Sequence, residues 1–173
     1  MSFENLLPPL HAFRFQVDFQ TDPLTGDGSE PTPLCSGAFA ECTGLEATME
    51  PMVIREGGRN YGSAQRVGAV SFATVVLKRG MTTTRDLWEW FYLVSGGGGY
   101  SYRLTATITM FDNSGEGVLA WKLRRALPVK FKSSDLNARG TEVAVEELHL
   151  VHEGLTPMPV EAGPLGSGEG GSL

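Results

Sequence analysis

The stretch Val75–Val94, VVLKRGMTTTRDLWEWFYLV, decides the reading of the fold. Its first residues are apolar and β-branched, as a strand requires, and Arg79-Gly80 reads as a tight turn after the strand. The spacing then predicts one amphipathic helix over about Thr83–Ser95. Thr83 precedes Asp86 by three residues, a capping-box-like pair, and Asp86 and Glu89 suit the positive end of the helix dipole. Leu87, Trp90, Phe91 and Val94 recur at helical spacing, with Trp88 and Tyr92 flanking that stripe. Ser95 and Gly96–Gly99 stop the helix, because glycine adopts the left-handed conformation at a C-terminus cheaply. The remaining pattern is strand-like, so this helix is expected to lie across a sheet.

Outward from the helix, alternation dominates. In HAFRFQVDFQ, residues 11–20, Phe13, Phe15, Val17 and Phe19 face one way and Arg14, Gln16, Asp18 and Gln20 the other. Tyr100–Asp112 alternates likewise, with Tyr102, Leu104, Ala106, Ile108 and Met110 against Arg103, Thr105, Thr107 and Thr109. Asp112–Gly117 is a hairpin turn leading into Val118–Arg125, with Leu119, Trp121 and Leu123 inward, followed by Leu127, Val129 and Phe131. Two further strands are predicted over Ala38–Leu45 and Ala47–Glu56, and one over Val67–Lys78. Thr141–His152 is the last strand. Its pattern slips between Val143/Val145 and Leu148/Leu150, and a bulge near Glu146-Glu147 would reconcile them.

The expected fold is therefore mainly β: one antiparallel sandwich or barrel-like domain with one flanking helix. The domain spans residues 1–155, with a Pro- and Gly-rich loop insertion at about 21–37. Residues 156–173 read as a flexible Pro/Gly-rich tail.

Bulk properties narrow the function. The 173 residues are 41% hydrophobic, enough for a real core. Fourteen basic and 20 acidic residues leave a net charge of −6, which argues against a general phosphate-backbone binder. No run of about 18 apolar residues predicts a transmembrane helix. Met1–Leu10 lacks the basic start and apolar stretch of a secretory signal, so synthesis in the cytoplasm is expected. Cys35 and Cys42 read as two reduced thiols.

Catalytic signatures are scarce. Gly96–Gly99 follows a helix, whereas a phosphate cradle precedes one. Gly57–Gly62 lacks the Gly-Lys-Ser/Thr of a P-loop. His149 and His152, three apart on a strand, point to opposite faces and read as surface or interface residues, not as metal ligands. Glu146 and Glu147 diverge for the same reason and form no acid/base pair. No enzymatic activity, cofactor or metal is expected. An enzyme would need a compact polar cluster near a cleft. A lipocalin-like carrier would need a larger apolar interior than these elements leave.

Charge distribution is more informative. Asp18–Glu56 carries eight acids and one base, whereas Lys122–Arg139 carries six bases and one acid. Two solvated faces would explain this. So would head-to-tail contact between copies, which closes a ring or propagates a filament.

Three stretches then carry a family resemblance: Gly44-Leu45-Glu46 through Ile54-Arg55-Glu56-Gly57-Gly58-Arg59-Asn60; Leu77-Lys78-Arg79-Gly80 with Arg85–Trp90; and Trp121 through Phe131, Asp135-Leu136-Asn137 and Glu142–Glu146 to Leu155. Together, over about residues 11–155, they resemble the tube proteins of contractile phage tails and injection systems. The related ring proteins of type VI secretion share this likeness. The resemblance implies a small β-sandwich with a helix at its side, six copies per ring, and rings stacked into a hollow tube. It implies partners: the chain itself, a sheath protein, baseplate or adaptor and cap proteins, and a protein or DNA cargo in the lumen. It implies assembly into a tail or particle that can be released outside the cell. A first-ring adaptor at the baseplate and a secreted effector-carrying ring are the alternatives.

The two-faced strands Phe13–Phe19 and Tyr102–Met110 suit the wall of such a tube, with one side packed on the protomer core and the polar side facing an aqueous lumen. Glu46–Tyr61 is expected to protrude as a hairpin that touches a neighbouring protomer or ring. Candidate contacts between copies are Glu46, Glu50, Arg55, Arg59, Asn60 and Tyr61 there, with Arg124, Arg125, Lys130 and Lys132 on the basic stretch.

Overall fold

The longest strand organises the chain. GVLAWKLRRALPVKFK, Gly117–Lys132, holds hydrogen-bonded partners along its whole length, but not the same ones. The computed structural model describes residues 14–21, 39–58, 60–96 and 103–160. In chain order their elements are β1 (Phe15–Thr21), β2 (Glu41–Thr43), β3 (Ala47–Met49), β4 (Met52–Ile54), β5 (Ala64–Arg66), β6 (Val70–Phe72) and β7 (Val75–Gly80). The helix α1 (Asp86–Gly96) follows, then β8 (Leu104–Phe111), β9 (Gly117–Lys132), β10 (Val145–Val151) and β11 (Gly154–Met158). Every strand pairing is antiparallel.

The early part of β9 pairs β8 on one side and β11 on the other, and β8 pairs β1. The later part pairs β10, which pairs β7, which pairs β2. The change of partners falls at Arg125, whose φ of 53° is left-handed. Opposite it, the chain breaks between β10 and β11 at His152-Glu153. A corner of this kind lets one pair of strands belong to two packed halves. Val17, Phe19, Leu104, Ala106, Ile108 and Leu123 from the first half share one core with Val75, Leu77, Leu148 and Leu150 from the second.

Helix α1 closes this core from the side. Leu87, Trp90 and Val94 are buried, Phe91 is half-buried, and Trp88 and Tyr92 stay exposed. The Trp90 ring meets Phe19 edge-on at 5.2 Å, and Trp88 meets Phe131 at 5.5 Å. Each buried helix side chain contributes roughly 1.5–3 kcal/mol, an upper bound.

The mainly β sandwich with one helix is as expected, and several details differ. The helix starts at Asp86, not Thr83, and the Asp86 carboxylate caps it by accepting from the Leu87 N–H at 3.0 Å. Arg79-Gly80 is not a turn: both residues end β7, with Arg79 buried. Val67–Lys78 divides at Ala73-Thr74 into β6 and β7, and Ala47–Glu56 divides at Glu50-Pro51 into β3 and β4. The bulge in the last pairing lies opposite His149/Leu150, where β9 takes up Val129 as the extra residue, so Val129 points outward. No slip occurs at Glu146-Glu147. Val143 simply precedes the strand, and Glu146 takes an inward position that the pattern would give to an apolar residue. β11 extends to Met158, so the sheet continues past residue 155. Phe13, Tyr102, Cys35, Gly97–Gly99, residues 22–37 of the insertion and the tail from 161 lie outside the described residues.

Candidate assembly interface

Two glycines shape the arm that leaves the sheet between β2 and β7. Gly44 has φ of 88°, and a Cβ there would stand 2.1 Å from the Thr74 carbonyl oxygen. Only glycine allows the two chains to approach so closely at the root. The Ala73 N–H donates to the Glu46 carbonyl at 3.1 Å, and β3 then pairs β6. At Gly68 a Cβ would fall 1.8 Å from the Glu50 carbonyl oxygen. Past this crossing β4 pairs β5. The protruding hairpin is thus longer than Glu46–Tyr61, because its return strands β5 and β6 belong to it.

This ribbon contributes no side chain to the buried core. Tyr61 is 95% exposed, Val67 76%, Met52 62% and Val53 57%. A lone two-stranded ribbon is marginal in water, and apolar residues gathered on one mark a contact surface.

Glu46, Glu50, Arg55, Asn60 and Tyr61 all lie exposed on the arm, and Arg59 lies outside the described residues. The basic candidates separate. Arg124 is exposed beside the corner; Lys130 and Lys132 lie exposed on the later part of β9. Arg125 is committed within the chain, its Nε 2.8 Å from Glu153 Oε2.

Sequence reading missed two charge arrangements. Arg79 is buried between Glu146 on β10 and Asp86 at the start of α1, paired with both, and its guanidinium lies 5.8 Å from the Phe39 ring centre. Burial alone would lower its pKa; the hydrogen bonds it donates to Asp86 and Glu146, with their charges, outweigh that and hold it above the ordinary arginine value. The second is a row on the outer face of the later half. Glu41, Lys78, Glu147 and Lys132 are successive register partners across β2, β7, β10 and β9. Acid and base alternate, and Lys78 Nζ is 3.0 Å from Glu41 Oε1. The hydrogen bond Lys78 donates to Glu41, then the Glu41 charge, holds Lys78 above the ordinary lysine value, with Glu147 adding to the effect. No single segment carries this row, so only the strand register reveals it.

His152 corrects a further expectation. It is buried, not at the surface, with its ring 5.2 Å from Phe72 and Nδ1 3.0 Å from the Gly154 carbonyl oxygen. His149 stays half-buried on the outer face, 3.4 Å from Glu147. Glu146 and Glu147 diverge as expected, one inward to Arg79 and one outward to His149.

Among the described residues no group of three His, Cys, Asp or Glu side chains gathers as metal ligands would. None of their helices is long and apolar enough to cross a membrane. An apolar cleft of about 250 Å³ opens between the two halves, walled by Phe15, Cys42, Leu45, Ile108, Met110 and Trp121. Burial pushes the Cys42 thiol up to about 11, so it holds its proton at neutral pH and is a poor nucleophile.

Among the described residues, strand edges are left unpaired and an apolar arm is exposed, features that suit a subunit of a larger assembly. The chain belongs to the T4-like virus tail tube protein family, gp19, whose sequence model matches residues 11–156. It is a structural subunit of the tail-tube type. Among solved structures it is similar to a chain of the anti-feeding prophage (AFP) baseplate, with 26% identity, TM-score 0.75, and coverage of 90% of this chain and 99% of that one. It is similar also to a chain of the PVC extracellular contractile injection system sheath–tube complex in its extended state (21%, TM-score 0.70, 92% and 99%). The fold extends to Hcp1 from Flavobacterium johnsoniae (11%, TM-score 0.50, 84% and 96%). No curated protein sequence matches it.

Proposed function

We propose that six copies of this chain close into a ring, and that rings stack into the hollow inner tube of a contractile injection system or phage tail. The chain carries no catalysis of its own. The tube is a conduit through which a sheath-driven machine delivers its cargo. One observation carries this reading: the arm β3–β6 exposes apolar side chains that no other described residue covers. In a stacked tube a neighbouring copy covers them. The candidate contacts Glu46, Glu50, Arg55, Arg59, Asn60 and Tyr61 then sit at that contact. The likeness to chains of a sheath–tube complex and of an AFP tube-terminating cap supports sheath and cap proteins as partners.

Negative-stain electron microscopy and sedimentation of the concentrated full chain test this. Rings or tubes are expected. A monomer at every concentration, also in the presence of baseplate components, would overturn it.

A second reading has one observation in its favour. The baseplate chain is more similar in both identity and TM-score than the sheath–tube chain. A first-ring subunit at the baseplate would form single rings that do not elongate, whereas the repeated subunit gives tubes of many rings.

A further inference from the structure

His152 lies where the arm meets the corner. It falls in the break between β10 and β11, and its buried ring meets Phe72 of the return strand β6 at 5.2 Å. Other ties at the arm root are backbone: the close approach of Gly44 to Thr74, and the Ala73 N–H on the Glu46 carbonyl. Those ties do not titrate. The ring does, and its surroundings favour one protonation state. Nδ1 donates to the Gly154 carbonyl at 3.0 Å, so the neutral ring carries its proton there. Nε2 is then a bare lone pair, buried with no hydrogen-bond partner.

A second proton has to enter at Nε2, as a cation in a dry contact. The charged groups on the elements around the ring are engaged elsewhere. At the corner, Glu153 holds Arg103 and Arg125, and Arg124 is exposed. On β10, Glu146 pairs with Arg79, and Glu147 lies beside His149. Lys78 on β7 pairs with Glu41 on β2. At the arm root the Glu46 carboxylate accepts from the Thr48 hydroxyl, and further out Glu50 and Arg66 are exposed. Among the described residues no side-chain charge moves the His152 pKa: burial lowers it, and the carbonyls of Gly154 and Ala73 offset part of that. A cation at Nε2 is relieved by closing onto the Ala73 carbonyl or by admitting water between the ring and Phe72. Either movement shifts the arm root.

We propose that His152 is a proton-operated latch on the arm. The neutral ring holds Phe72 and the arm root against the corner. A second proton releases them, and the contacts the arm makes between copies loosen while the protomer stays folded. This rests on the assembly reading above and adds how its contact is let go. The arm supplies no side chain to the buried core, so it can swing without opening the sheet. A covered ring takes up the proton less readily than one facing water. The held pose therefore keeps its full advantage above about pH 6.5 and loses it as the pH falls toward the lower value of the covered ring.

The test uses the full chain, first below its assembly concentration. By NMR between pH 8 and pH 5, the His152 ring protons and the Ala73 amide should titrate with one midpoint below the ordinary histidine value, while the amides of Leu77 and Leu148 stay still. Spin labels at Tyr61→Cys and Thr156→Cys, in a Cys35→Ser/Cys42→Ala background, should report a distance that changes over the same range. Above the assembly concentration, sedimentation should show the concentration needed for rings or tubes rising at least tenfold from pH 8 to pH 5. His152→Gln, neutral throughout, should cut that rise to less than threefold. An equal rise in His152→Gln overturns the latch. If that variant folds poorly, the parent decides alone, and an Ala73 amide and label distance that ignore the ring titration overturn it. Label distances that follow the ring while the assembly concentration stays constant overturn the control of assembly. If no rings or tubes form at any pH, the assembly reading falls, and the label distances still decide the latch.

Discussion

Arg125 and Glu153 face each other across the corner shared by both halves of the sheet, Nε to Oε2 at 2.8 Å. Arg103 reaches the other Glu153 oxygen at 2.6 Å, and the Glu153 N–H donates to the Arg124 carbonyl at 2.9 Å. Two cations and one anion thus hold a residue in a backbone region that most side chains avoid. Arg125→Gly should fall within about 1 kcal/mol of the parent in urea unfolding, because relief of the left-handed strain offsets loss of a partly exposed ion pair. Arg125→Val should cost about 2–4 kcal/mol, since it loses the ion pair and puts a β-branched residue at positive φ.

That corner also marks where sequence reading ran out. Strands with strict alternation, such as Phe15–Phe19 and Leu104–Met110, were legible because one face is buried and the other wet. The stripe Leu87, Trp90 and Val94 was legible for the same reason at helical period. Val129 and Val143 were misread as inward, because a bulge and a strand boundary are set by partners distant in sequence. Arg79 was misread as a turn residue because an arginine before a glycine looks solvent-bound, and its two acids lie seven and 67 residues away. The arm was half legible: its outgoing strands were read, the return strand β6 was merged into β7, and β5 was not read as a strand. The charge row was invisible, since its four members come from four strands whose register the sequence does not state.

Arg79 joins β7, β10 and the start of α1, so it links the helix to the later half of the sheet. Removing one partner of a buried pair strands the other charge. Arg79→Ala and Glu146→Ala should each destabilise the protomer by about 3–5 kcal/mol in chemical denaturation. The double change Arg79→Met/Glu146→Met should cost less than the sum of the single changes, because neither charge is then stranded. A purely additive double mutant would show that the pair is not coupled.

Burial lowers the His152 pKa below the ordinary histidine value, more than the carbonyls of Gly154 and Ala73 raise it. Its Nε2 is buried with no hydrogen-bond partner. The unfolded chain therefore takes up this proton at a higher pH than the folded one. The stabilising contribution of the neutral ring is complete above about pH 6.5, the unfolded value, and is lost as the pH falls toward the lower folded value. Urea unfolding between pH 8 and pH 5 should show this decline, and His152→Gln should flatten it. A parent slope unchanged by the substitution would assign the decline to other groups.

The arm yields the sharpest separation of folding from assembly. At Gly68 a Cβ would sit 1.8 Å from the Glu50 carbonyl oxygen, so alanine must push the two strands apart between the β3–β6 and β4–β5 pairings. The arm supplies none of the buried core, so protomer unfolding should move by less than about 2 kcal/mol. Assembly should suffer far more, because the exposed side chains at Met52, Val53, Tyr61 and Val67 are displaced from whatever they meet on the neighbour. Gly68→Ala is expected to raise the concentration for ring or tube formation at least tenfold by sedimentation, with the circular dichroism of the protomer unchanged. Deleting Gly57–Gly62 should act in the same direction by shortening the tip. Tubes of normal length from both variants would remove the arm from the assembly interface.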